Sequence, residues 1–292
     1  MSIDDPFAID DDVDVGVTGI TASSIRRADI AYVIDCTSSM DDTERNGIPL
    51  LSAIKNCIGE LTGFYEKEEV IIRLGLTEFR DQQLKSDEKF GRNLLKHHEW
   101  GGSKFTSNLD EFRKSLDGLK AEGGGPPKES IYDALVTTAE WGDWADGASR
   151  IIVLFTDTLP HKRDLVVKTK GEAVRRLGDA RINQLHLCIN DTKHGEEYDV
   201  FFDIPENDGN KEITEIHDIM HSDITTMIEF LKRVHRGSVD RLKAAELGSV
   251  GRYGRKTGRG RRVKRRAIPK LKTVVRERPE NTDRSRSRYG RS

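Results

Sequence analysis

The sequence predicts an α/β fold, a doubly wound, mainly parallel, Rossmann-like sheet with helices on both faces. Three observations predict it. Short wholly apolar runs recur along the chain, as in strands buried on both faces. Between them lie segments whose apolar residues return every three or four positions, the period of a helix face. Strands and helices alternate for about 200 residues, which favours parallel pairing with crossover helices.

Asp29-Ile-Ala-Tyr-Val-Ile-Asp35 reads as the first strand. Leu51, Ile54, Ile58, Leu61 and Tyr65 mark one face of the first helix, and Val70 to Leu76 a second strand. Phe90 to Trp100 reads as a third strand, more polar and therefore nearer an edge. Asn108 to Leu119 and Glu129 to Trp141 read as helices on either side of the breaker Gly123-Gly-Gly-Pro-Pro127. Ile151 to Phe155, the most apolar run, reads as a central strand. A helix over Gly171 to Leu177, a strand over Ile182 to Ile189, a last strand over Glu212 to Ile219 and a closing helix over Ile224 to Val234 complete the pattern.

This domain, residues 28–236, is flanked by segments of opposite charge. The 292-residue chain is 34% charged, above the roughly 25% of ordinary globular proteins. Residues 1–14 hold six aspartates and no basic residue, and residues 1–27 read as a disordered acidic arm. Gly251 to Ser292 carries seventeen Lys/Arg against three acids, a net of +14, leaving −16 for residues 1–250. Residues 237–292 read as a disordered basic tail. No run approaches the ~20 apolar residues of a membrane span, and the acidic start is unlike a secretory leader. A cytoplasmic protein without a transmembrane segment is expected. Cys36, Cys57 and Cys188 are scattered among apolar neighbours and read as small buried hydrophobes.

In a doubly wound sheet the working site lies at the carboxyl ends of the strands. The first strand ends in Asp35-Cys-Thr37-Ser-Ser39-Met40 and the central one in Thr156-Asp157-Thr-Leu-Pro-His161. An aspartate followed by hydroxyls two and four residues later places hard oxygen donors on one side of a tight loop, a set suited to Mg²⁺. The same residues also serve as turn and helix-cap residues. A second acid at the same edge would repel the first unless a cation or a basic group lay between them.

Asp35-x-Thr37-x-Ser39-Met40 together with the later Leu-Phe-Thr-Asp157 resembles the metal-ion-dependent adhesion site (MIDAS) of von Willebrand factor type A domains. Gly75-Leu-Thr-Glu-Phe-Arg80-Asp81, Gly123-Gly-Gly-Pro-Pro-Lys-Glu129 with Asp133-Ala-Leu135, and Thr156-Asp157-Thr-Leu-Pro-His161 are similar to one branch of that family, which includes domains attached to atypical, alpha-type kinases. The resemblance covers Ala28 to Arg236. It implies Mg²⁺, with Mn²⁺ and Ca²⁺ as alternatives, held by Asp35, Thr37, Ser39 and Asp157. It also implies a protein partner that donates an Asp or Glu to the metal, so that binding assembles a complex. The family's second-loop threonine is replaced here by Glu129, with Ser130 beside it. Glu129 reads either as a ligand, direct or through water, or as a first-turn acid favouring a helix N-terminus. Arg80 and Asp81 read as a buried ion pair beside the loop, or as selectors of an acidic partner group.

Other chemistry finds less support. His217 and His221 are four apart but lack a third zinc ligand. No Gly-x-Ser-x-Gly elbow, phosphate loop or His-Arg-Asp signature occurs, which disfavours an enzyme. Two alternatives remain open: a nucleic-acid-associated factor, or one with another acidic partner, acting through the basic tail, and a metal-dependent hydrolase.

Overall fold

The computed structural model describes residues 27–42, 47–65, 71–83, 85, 89, 94–125, 128–141, 143–189, 197–204, 213–218, 226–229 and 231–233. The acidic arm up to residue 26, Pro126-Pro127, His221 and the basic tail lie outside the described residues.

Chain order gives β1 (Arg27–Asp35), α1 (Leu50–Tyr65), β2 (Ile71–Phe79), β3 (Leu95–His97), α2 (Leu109–Asp117), β4 (Lys128–Glu129), α3 (Ile131–Ala139), β5 (Ser149–Phe155), β6 (Leu159–Pro160), α4 (Lys170–Asp179), β7 (Gln184–Ile189) and β8 (Ile213–Asp218). The main sheet runs β3-β2-β1-β5-β7-β8 and is parallel except for β3, which pairs antiparallel with β2 at the edge. From β1 the chain moves outward to β2, then returns to the other side of β1 with β5, β7 and β8. The strand order therefore reverses between β1 and β5, the switch point where such sheets open a crevice.

The apolar runs fill two cores because a strand turns successive side chains to opposite faces. Ile30, Tyr32 and Ile34 of β1 join Ile151, Val153 and Phe155 of β5 against α1 and α2. Ala31 and Val33 join Ile152 and Leu154 against α3 and α4. On α1, Leu51, Ile54, Ile58 and Leu61 are all buried, as their spacing requires. Asn108 starts α2 by accepting from the Asp110 and Glu111 N–H groups (3.1 and 3.2 Å), and the Thr169 hydroxyl accepts from the Glu172 N–H (3.1 Å) to start α4.

Two predicted elements differ. The third strand ends at His97 rather than Trp100, which pairs with Ser103 across a turn; residues 90–93 of the expected span lie outside the described residues. The helix expected from Glu129 begins at Ile131; Lys128 and Glu129 instead form β4, which pairs in parallel with β6. The closing helix is described at 226–229 and 231–233, with Met227 and Leu231 buried in the first core.

Gly75 lies mid-strand where no side chain fits. A Cβ there would stand 2.6 Å from Trp141 Cζ3, 3.0 Å from Phe105 Cε1 and 3.2 Å from the Lys104 carbonyl. All three belong to packed structure, so Gly75→Ala is expected to destabilise by on the order of 2 kcal/mol in urea unfolding. An unchanged midpoint would show that β2 packs less tightly against Trp141.

Candidate metal site

Asp35 is the last residue of β1 and is fully buried. Ile34 pairs with Phe155, so Thr156 emerges beside Asp35. Its hydroxyl donates to Asp35 Oδ2 at 2.7 Å. The other oxygen, Oδ1, accepts from the Thr37 backbone N–H (2.9 Å) and from the Thr37 hydroxyl (2.7 Å), an Asx-type turn. Thr37 Oγ1 lies 3.1 Å from Ser39 Oγ, and the Ser39 hydroxyl donates to Asp157 Oδ1 at 3.0 Å. Thr156, Asp35, Thr37, Ser39 and Asp157 thus form one unbroken polar chain across the switch point. Met40, fully buried in the first core, anchors the turn that carries Ser39.

Burial, and after it the Asp157 carboxylate, pushes the Asp35 pKa up to about 6. The donors from Thr156 and Thr37 oppose that shift without cancelling it. A cation between the two acids would offset the repulsion of Asp157. The donor set suits a hard one: carboxylate and hydroxyl oxygens, with no sulfur or imidazole. An octahedral ion with bonds of about 2.1 Å has ligand–ligand edges of about 3.0 Å, and the two successive oxygen separations here are 3.1 and 3.0 Å. The hydroxyl protons already point at carboxylates, which leaves oxygen lone pairs for a cation. Among the described residues no three His, Cys, Asp or Glu side chains gather as a metal centre.

A glycine turn braces this loop. The Ser38 N–H and hydroxyl both donate to the Gly123 carbonyl (2.8 and 2.7 Å), and the Glu122 N–H donates to the Cys36 carbonyl (2.9 Å). Gly124 has φ +83°, and a Cβ there would stand 2.8 Å from Thr37 Cβ and 3.2 Å from Glu129 Oε1. Only glycine meets both demands. The same contacts bring the Glu129 carboxylate to the side of Thr37. Glu129 is buried in β4 and is therefore not the first-turn acid of a helix.

Arg80 and Asp81 serve different elements. Arg80, 3% exposed, donates through Nε to the Glu122 carbonyl (2.9 Å) and through Nη2 to the Lys120 carbonyl (2.8 Å), and its Nη1 lies 3.4 Å from Glu78 Oε2. It straps the glycine segment that in turn clamps the Asp35 loop. Asp81 Oδ1 lies 2.9 Å from His161 Nε2 and accepts from the Gln83 N–H at 2.7 Å, tying the loop after β2 to the one after β6.

Sequence reasoning missed Thr156 and gave His161 no role. Thr156 precedes Asp157 at a strand end, and that hydroxyl-acid pairing was the available signal. His97 is structural: its Nδ1 lies 2.9 Å from Thr77 Oγ1 and burial lowers its pKa to about 4. His217 is buried on β8, 5.8 Å from the ring of His186.

Because its folded pKa is raised, Asp35 contributes stability that is full below about pH 4 and lost as pH rises through about 6. Asp164, raised to about 6 by burial and then by Asp133, acts in the same window. His97, whose lowered pKa favours the folded state as pH rises through the same window, opposes them, so the difference between proteins is the test: from pH 5 to pH 7 chelator-treated wild type is expected to lose melting temperature relative to Asp35→Asn. Asp35→Asn should raise stability at pH 7 by on the order of 2 kcal/mol and flatten part of that dependence. A lower melting temperature for the variant at pH 7 would contradict the assignment of strain to Asp35.

No family model and no curated protein matches the chain. Among solved structures it is similar to the conserved hypothetical protein BatB of Bacteroides thetaiotaomicron, with 16% identity, a TM-score of 0.38, and coverage of 56% of this chain and 65% of that one. It is likewise similar to an aerotolerance-related membrane protein of Bacteroides fragilis, carrying multiple mutations to serine, with 17% identity, a TM-score of 0.38, and coverage of 56% and 66%. The chain spans just under two thirds of either protein.

Proposed function

We propose that the domain is a von Willebrand factor type A-like interaction module whose MIDAS-like cluster binds Mg²⁺ and captures a carboxylate of a protein partner. The polar chain through Thr156, Asp35, Thr37, Ser39 and Asp157 carries this reading. It unites two acids and three neutral hydroxyls where the strand order reverses. In the proposal Asp35 and Asp157 supply charge, Thr37 and Ser39 supply neutral oxygen, and Glu129 adds a carboxylate directly or through water. Bound there, Mg²⁺ would supply exchangeable positions that a partner Asp or Glu can fill.

The roles of the remaining residues follow from their bonds. Arg80 holds the glycine segment against the loop, and Asp81 with His161 holds the next loop. Both roles fix the loops around the cluster, and in this reading the cluster holds a ligand.

Calorimetric titration of the full chain with MgCl₂ tests the reading. Wild type is expected to bind, and Asp35→Asn and Asp157→Asn each to lose at least about tenfold in affinity, about 1.4 kcal/mol. Asp35→Ala should abolish binding. Equal titration curves for wild type and folded variants would remove the assignment.

A further inference from the structure

The loop between β6 and α4 is held more firmly than a surface loop requires. Asp133 on α3 is fully buried, and its carboxylate accepts from the Val166 N–H (2.9 Å) and the Val167 N–H (2.7 Å). Asp164, 2% exposed, accepts from the Asp133 N–H at 3.2 Å, and its own N–H donates to the Val167 carbonyl at 2.9 Å. The Gln83 side-chain amide donates to the Arg163 carbonyl at 2.8 Å, and the His161 N–H to the Glu129 carbonyl at 3.1 Å. The last bond joins this loop to the flank of the candidate metal site.

What the loop displays is unusual for this chain. Leu165 and Val166 stand 50% and 47% exposed, two of the four large hydrophobic side chains exposed among the described residues. Beside them Lys162, Arg163 and Lys168 are exposed. Residues 28–236 carry 27 Lys/Arg against 39 acids, a net −12, so the loop is a cationic, aliphatic island on an acidic body. Its backbone bonds impose that exposure, because the chain cannot relax to bury Leu165 and Val166 while Asp133 holds the N–H groups of residues 166 and 167.

One segment of the chain has the complementary character. Ile3-Asp-Asp-Pro-Phe-Ala-Ile-Asp-Asp-Asp-Val-Asp-Val15 interleaves six aspartates with Ile3, Phe7, Ile9, Val13 and Val15. The basic tail, by contrast, would be repelled by Lys162, Arg163 and Lys168. Reach allows the match within one chain. The eleven residues 16–26 extend to roughly 36 Å at about 3.3 Å each, while the nine residues of β1 span about 30 Å from the amino edge to the carboxyl edge.

We infer that the acidic arm, residues 3–15, docks in cis on the 161–168 loop. Its aspartates face Lys162, Arg163 and Lys168, and its aliphatic side chains cover Leu165 and Val166. Docking needs no bound cation.

Zero-length crosslinking tests this. An equal mixture of ¹⁵N-labelled and unlabelled full chain is treated with a water-soluble carbodiimide in 0.15 M NaCl, with EDTA and separately with MgCl₂, and the joined peptides are mapped by mass. Amide links from Asp4–Asp14 to Lys162 or Lys168, within one isotopic species and in EDTA as well as in MgCl₂, are expected. The double variant Leu165→Ser/Val166→Ser changes exposed side chains only. It should lose at least about tenfold of those links, since each covered aliphatic contributes about 1 kcal/mol or more, with an unchanged melting temperature. Links solely to tail lysines such as Lys264 and Lys270, links between isotopic species, or links insensitive to the double variant would each overturn the inference. Because the links are scored in EDTA, the result stands apart from whether Mg²⁺ binds.

Discussion

The carboxylate of Asp35 organises the upper edge of this protein. It is fully buried at the end of a central strand, where an isolated charge would be costly. Two oxygens accept three donors, from Thr37 twice and Thr156 once, and these bonds fix the turn that presents Thr37 and Ser39. Asp157, one hydroxyl away, keeps the cluster short of positive charge. Desolvation and like-charge repulsion are tolerated here because the strands that end in the two acids are packed in apolar cores on both faces.

Support for the cluster comes from residues outside it. Arg80 holds two carbonyls of the 120–122 segment, and that segment's neighbours clamp the Asp35 loop through Gly123 and Glu122. Gly124 permits the close approach of Thr37 and Glu129. Lys120, Glu122, Arg80 and Glu78 also line a polar groove of about 810 Å³ against Trp100 and α2. On the opposite flank the Asp133–Asp164 pair performs the corresponding task for the loop after β6. Both braces use buried ionic groups whose partners are mostly backbone, which fixes geometry more firmly than a side-chain ion pair would.

The order of strands and helices, the two-faced cores and the placement of Asp35 and Asp157 at strand ends were legible in the sequence. Each follows from local period and from the rule that parallel strands deliver their carboxyl ends to one edge. Glu129 was misplaced as a helix residue because a two-residue strand has no period to read. Its assignment to β4 depends on pairing with Leu159–Pro160, thirty residues later. The spelling Phe-Arg-Asp suggested a neighbouring ion pair. Successive residues leaving a strand point apart, however, and Arg80 and Asp81 found partners on opposite flanks.

The sequence by itself determined the class of fold, the acidic and basic extremes of the chain, and which oxygen-bearing residues would gather at one edge. These properties are set by composition and short-range period, which the chain carries before it folds. Only the tertiary structure decided that Thr156 closes the polar chain on Asp35, that Glu129 lies beside Thr37, and that two buried acids hold Leu165 and Val166 out of the core. Each of those outcomes joins residues tens of positions apart, and their distance is set by strand register and core packing, which no local pattern records.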